Sequence, residues 1–209
     1  MPAKIEGLIN FRKALRQIAP DLAHQMDNDV KKILYPIVKD ARDLVPTQVP
    51  GLSQWMSAKK DTSSRVGAAR KFPLYNSRQV KSGIVSSAVV GKPNGNGFSA
   101  VYTIRNNSAA GAIMETSGRK NASGQPWVGR KNLGDRNSSH SRNPGAGLHF
   151  INSMPGKMVG NGKMRGRLIY RAWYENDRNT IAQINISIEK TLEIFGNRLG
   201  AMSAFGKAA

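Results

Sequence analysis

Residues 20–46, PDLAHQMDNDVKKILYPIVKDARDLVP, decide the fold. Leu22, Met26, Val30, Ile33, Leu34, Ile37, Val38, Ala41, Leu44 and Val45 recur at helical spacing and form one broad apolar stripe. Pro20 and Asp21 suit its first turn, because proline there forfeits no intrahelical bond and an acid meets the positive end of the helix dipole. Pro36 lies inside the pattern and is expected to kink the helix, since it removes a backbone donor and crowds the preceding turn. Pro46 and Pro50 stop it.

Upstream, Leu8, Phe11, Leu15 and Ile18 mark a shorter helix, so the chain opens with a helical pair. At the far end Ile181, Ile184, Ile188, Leu192, Phe195 and Leu199 keep one helical face. A turn or two of helix is expected over 167–174, then a break near Asn176-Asp177, with order ending at Gly200. Between the ends, residues 84–90 are rich in β-branched side chains, and residues 98–104 alternate apolar and polar. The turn residues of 91–97 join these runs into a β-hairpin, with a further short strand or helix near 109–116. Residues 46–81 read as irregular, anchored by Trp55, Phe72, Leu74 and Tyr75. Residues 117–147 read as a long loop, and 154–166 repeat its character. The expected class is α+β in a single domain, 1–209: N-terminal helical pair, small antiparallel β-sheet, long C-terminal helix, and long basic loops at about 46–81 and 117–165.

The charge is concentrated in the middle of the chain. Residues 44–170 hold 19 Lys and Arg against three acids, Asp61, Glu115 and Asp135, a balance of +16 out of +19 for the whole chain. The flanks are nearly balanced. Charge of this density calls for a polyanionic neighbour or for acidic protein surfaces. The candidate contacts to DNA or to partner proteins are Arg119, Lys120, Arg130, Lys131, Arg136, Arg142, Lys157, Lys163, Arg165 and Arg167. Trp127 is the sole aromatic residue of 117–147, a poor supply for base stacking, and no helix-turn-helix, zinc-finger or RNA-recognition signature is present. Any DNA contact is therefore expected to be independent of sequence.

Catalytic and cofactor patterns are missing. The chain has no cysteine, which removes disulfides, thiolate zinc sites and thiol nucleophiles and fits assembly in a reducing cytoplasm. Of the three histidines, His24 falls on the second helix beside the apolar stripe and reads as a surface or packing residue, and His140 and His149 have no acid cluster beside them in sequence, so no metal is expected. The Gly-rich stretch 91–97 lacks the Lys-Ser/Thr step of a phosphate loop, because Pro93 follows Lys92. Glu115 is expected to form a salt bridge with one of the many bases. No enzyme and no cofactor is expected. No apolar run reaches the length of a membrane span, and the first residues lack a signal-peptide pattern.

The order of parts carries a resemblance. A helix ends in Ala41-Arg42-Asp43-Leu44-Val45-Pro46, matching an A-x-x-L-x-P helix end. Met114-Glu115-Thr116-Ser117-Gly118 follows the sheet and is one residue longer than a V/I-E-x-G segment. Arg167-Leu168-Ile169-Tyr170-Arg171-Ala172 matches an R-x-I/L-x-x-A opening of the last helix, with Arg171 where proline is usual. Over most of its length the chain resembles the neck or tail-completion family of long-tailed bacteriophages (minor tail protein Z-like proteins), although its two long loops exceed the usual length. The resemblance implies a non-enzymatic virion protein of the head–tail junction, assembled in the host cytoplasm. It implies an oligomeric ring, a hexamer favoured, around the DNA channel. The implied partners are other junction and tail proteins, with non-specific contact to packaged double-stranded DNA and no membrane. A head–tail adaptor or tail terminator of the same junction is the near alternative; a sequence-independent DNA-binding protein is the distant one.

Overall fold

The computed structural model describes residues 8–49, 74–88, 100–119, 146–161 and 164–208. The element order is α1 (Leu8–Ile18), α2 (Pro20–Asp43), α3 (Ser77–Gly83), β1 (Ile84–Ser87), β2 (Thr103–Asn106), α4 (Ala109–Thr116), α5 (Ala146–Asn152) and α6 (Ile169–Ala208). The class is α+β: a helix-rich chain with a small two-stranded antiparallel sheet and a long C-terminal helix. Among the described residues no helix is long and apolar enough to cross a membrane.

Two compact units divide the chain. The first draws on the described parts of Met1–Ile37, Ser86–Ile104 and Asn176–Ala209. Its core joins Leu15, Ala19, Leu22, Ala23, Met26 and Ile188, with Leu8, Phe11, Ile184, Ile194 and Phe195 packed around them. Leu8, Phe11, Leu15, Leu22, Met26, Ile184, Ile188 and Phe195 come from the three apolar stripes of the sequence, whereas Ile18, Leu192 and Leu199 of the end stripes are exposed; burying each large aliphatic side chain contributes about 1.5–3 kcal/mol. Phe11 meets Phe195 edge to face at 6.1 Å between centroids.

The second unit draws on Val38–Val85 and Arg105–Glu175. Val38, Ala41, Val45, Val80, Ile84, Met114, Leu168 and Ala172 are among its buried apolar residues. Arg42 donates from Nε (3.1 Å) and from a terminal nitrogen (2.7 Å) to the Ile84 carbonyl, and the Tyr75 hydroxyl donates to the Pro46 carbonyl. Helices α3 and α4 start on side-chain caps. Asn76 accepts from the Gln79 N–H at 3.1 Å, and Ser108 from the Gly111 N–H at 3.2 Å. A side chain at Gly111 would overlap the Asn106 amide, so this helix needs glycine there.

The Asn107 N–H donates to the Gly83 carbonyl at 2.9 Å, which sets the strand register: Ile84 lies opposite Asn106, and Ser87 opposite Thr103. The second strand thus starts later than the alternation of 98–104 suggests. Residues 100–102 lie outside the ladder, because Val101 is buried and the Tyr102 hydroxyl is committed to Asp27 on α2. Residues 89–99, with the expected turn and the end of the first run, are outside the described residues.

Two other differences from the sequence expectation stand out. The last helix has no break at Asn176-Asp177 and does not end at Gly200. Neither proline nor glycine interrupts residues 169–195, and side chains one turn apart tie the stretch together: Arg171 to Glu175 at 3.0 Å and Gln183 to Asn179 at 3.2 Å. Part of the expected irregular stretch 46–81 is helix α3, and α5 falls within 117–165. Helix α2 runs without interruption through Pro36, which is exposed.

Candidate functional site

The sequence places one acid, Glu115, in a long basic stretch, and the fold uses it on backbone rather than on a base. Glu115 sits in α4, and its carboxylate reaches the start of α6. Oε2 accepts from the N–H groups of Leu168 (2.7 Å) and Ile169 (3.1 Å), and Oε1 from that of Tyr170 (2.9 Å). These are first-turn donors with no intrahelical partner, and a negative group at this end also meets the helix dipole. Glu115 is buried. Burial pushes its pKa up, opposed by the three backbone donors and by the nearby Arg119. A side chain at Gly166 would overlap the carboxylate, so glycine leaves the space the clamp occupies. The expected salt bridge of Glu115 is thus replaced by a helix cap; none of the described ion pairs includes it.

Arg167 braces the same corner from the other side. One terminal nitrogen donates to the Ser117 and Met114 carbonyls, the latter at 3.4 Å, and Nε donates to the Gly156 carbonyl at 3.3 Å. The residue is 6% exposed, so its guanidinium is a tie between chain segments rather than a free surface cation. Desolvation lowers its pKa, with Glu115 acting in the opposite sense. Arg119 lies with its guanidinium carbon 4.6 Å from the Tyr170 ring centroid and donates from Nε to the Arg165 carbonyl. One terminal nitrogen of Arg119 is buried without a partner.

A second polar centre, in the first unit, has no counterpart in the sequence expectations. Arg12 on α1 grips Asp27 on α2 with two bonds, Nε to Oδ1 at 2.9 Å and a terminal nitrogen to Oδ2 at 2.5 Å. Asp27 also accepts from the Tyr102 hydroxyl at 3.0 Å and from Arg16 at 3.4 Å. Arg12 is 1% exposed, donates to the Ala88 carbonyl, and lies 5.7 Å from the Tyr102 ring centroid. Burial acts to raise the pKa of Asp27, but Arg12, Tyr102 and Arg16 outweigh it and hold the carboxyl below its usual value. Burial and the facing Asp27 push the Tyr102 phenol up. A signal was present: Asp27 and Arg12 both interrupt apolar stripes, four residues after Ala23 and Leu8 respectively. Two opposite charges on inward faces of adjacent helices point to each other.

Neither centre presents a reactive group to open space. The open groove of about 510 Å³ beside α3 and α4, lined by Leu74, Gln79, Ser82, Asn107, Ser108 and neighbours, carries no titratable side chain. Among the described residues no three His, Asp or Glu side chains converge as a metal site would require. Comparison of the chain with protein-family models, with curated proteins and with solved structures finds no match.

Four of the ten candidate contact residues fall within the described structure. Lys157 and Arg165 are exposed, Arg119 is half-buried on Tyr170, and Arg167 is internal. Lys120, Arg130, Lys131, Arg136, Arg142 and Lys163 lie outside the described residues. His24 and His149 are exposed on α2 and α5, and His140 lies outside the described residues.

Proposed function

We propose that this chain is a structural subunit of the phage head–tail junction, a neck or tail-completion protein that assembles as an oligomeric ring around the DNA channel, with six copies the favoured number. The reading rests on the resemblance. The observation that carries it further is that two of the segments bearing that resemblance form one interlocked piece: Glu115 of 114–118 caps the helix opened by 167–172, over Gly166. In this reading the paired segments are a rigid mount for the basic centre, and the chain performs no chemistry.

The charge then has a use. Six copies at +19 each carry far more charge than the roughly 20 phosphates on a ~35 Å length of duplex, at one per ~1.7 Å. Most cations therefore meet acidic faces of neighbouring junction proteins, which speeds docking and fixes orientation. Solution mass tests this first. The isolated 22.8-kDa chain is expected as a monomer or loose oligomer, and as a closed ring, at six times that mass, once acidic junction partners are added. A chain that stays monomeric with those partners would contradict the reading.

A further inference from the structure

Beside the corner built by Glu115 and Arg167 lie cations that form no ion pair among the described residues. Lys157 and Arg165 are exposed, and neither they nor Arg119 enters any ion pair among the described residues. Glu115, the only acid among the described residues of 105–170, is buried and committed to backbone. Three connections hold the cations together. Arg119 donates to the backbone carbonyl of Arg165, Arg167 donates to the Gly156 carbonyl next to Lys157, and Tyr170 supports the Arg119 guanidinium from below. The arginines and the lysine are therefore presented by fixed backbone, not by a solvated chain end.

The composition of this surface separates two kinds of partner. Protein interfaces centre on exposed apolar or aromatic anchors within a polar rim. Among the described residues the exposed large apolar side chains are Ile9, Ile18, Tyr35 and Leu74 before this region in sequence and Tyr174, Ile186, Leu192 and Leu199 after it; Tyr174 is one helical turn beyond Tyr170, and none falls within the described part of 114–170. The corner offers cations, and at Gly156 open space where a side chain would meet nothing within 4 Å. Nucleic-acid surfaces have this character: polar, strongly positive and open to close approach by a charged backbone. We propose that Arg119, Lys157 and Arg165 form a contact surface for the phosphodiester backbone of duplex DNA, with Arg167 as the internal brace that positions them. The proposal rests on the junction reading for its biological setting and assigns to this corner the DNA-facing share of the charge.

The test measures binding of the full-length chain to a fluorescent 20-base-pair duplex by anisotropy, across 50–200 mM salt. The variants are Lys157→Gln/Arg165→Gln, which touches only exposed side chains, and Arg119→Lys, which keeps the charge and removes the planar fork. Thermal melts confirm that both fold. Each phosphate neutralised contributes about 0.9 to the slope of log affinity against log salt. The double variant is expected to flatten that slope by about 1.8, and Arg119→Lys to weaken binding while keeping it. An unchanged slope in the double variant overturns the proposal. So does a double variant that loses binding to a poly-glutamate peptide while keeping its full affinity for the duplex, which would assign the surface to acidic protein. The junction reading fails separately, if filled heads and tails join without this chain.

Discussion

Replacing Asp27 with Asn strands a buried guanidinium. In the native chain Arg12 is 1% exposed and its charge is met by one carboxylate, through bonds of 2.9 and 2.5 Å. Asn keeps one acceptor for Tyr102 or for Arg12 Nε but removes the negative charge and one acceptor. Removing one partner of a buried pair costs about 3–5 kcal/mol, because the other charge remains desolvated. With a midpoint shift of roughly 2–4 °C per kcal/mol for a chain of this size, the melting transition of the unit that holds the pair should fall by about 6–20 °C. Differential scanning calorimetry at pH 7 reads this directly. The pH profile gives an independent check. The folded pKa of Asp27 is depressed, so its contribution is present above the ordinary value of 3.8 and is lost as pH falls through the lower folded value. Wild type should therefore lose stability in that acid window, and Asp27→Asn should not show that part of the loss. Replacing both partners, Arg12→Met with Asp27→Leu, removes the stranded charge and should be less damaging than Asp27→Asn alone. A shift under about 2 °C for Asp27→Asn, or a double variant worse than the single one, would refute the claim that the pair is a committed buried contact.

Gly166→Ala places a methyl group in the space of the Glu115 carboxylate and should cost about 1–3 kcal/mol, read by urea denaturation. Glu115→Gln should remove one pH effect. Burial raises the folded pKa of Glu115 above 4.5, so its contribution is present below 4.5 and is lost as pH rises through the raised value; the wild-type profile should show that fall and the variant should lack it. Gly200→Ala should stabilise the chain by roughly 0.5–1 kcal/mol, since the position is helical, exposed and open around a new side chain; destabilisation would mean the helix ends before it.

The helices were legible where apolar spacing alone determines them. The stripe of 20–46 became the buried face of α2, and Leu8, Phe11, Leu15, Ile184, Ile188 and Phe195 joined the first unit's core, while Ile18, Leu192 and Leu199 of the end stripes stay exposed. Helix α4 was legible only as one of two options, because eight residues of small and apolar character fit a strand or a helix equally. The start of β2 depended on tertiary contact: Tyr102 continues the alternating pattern, but its hydroxyl is drawn to Asp27, 75 residues earlier. Glu115 and Arg167 were both visible as charges, and neither role was. A carboxylate among bases suggests an ion pair, whereas its partners are backbone donors more than 50 residues away that exist only once α6 starts at that point. Arg167 reads in sequence as one more cation of the basic stretch; only its burial and its carbonyl partners separate it from Lys157 and Arg165.

The junction role is tested most directly by particle assembly with and without this chain. Filled heads and complete tails prepared in its absence should remain unjoined under the electron microscope, and adding the purified chain should yield joined particles with a ring of it at the neck. Heads and tails that join equally well in its absence would contradict the proposed function.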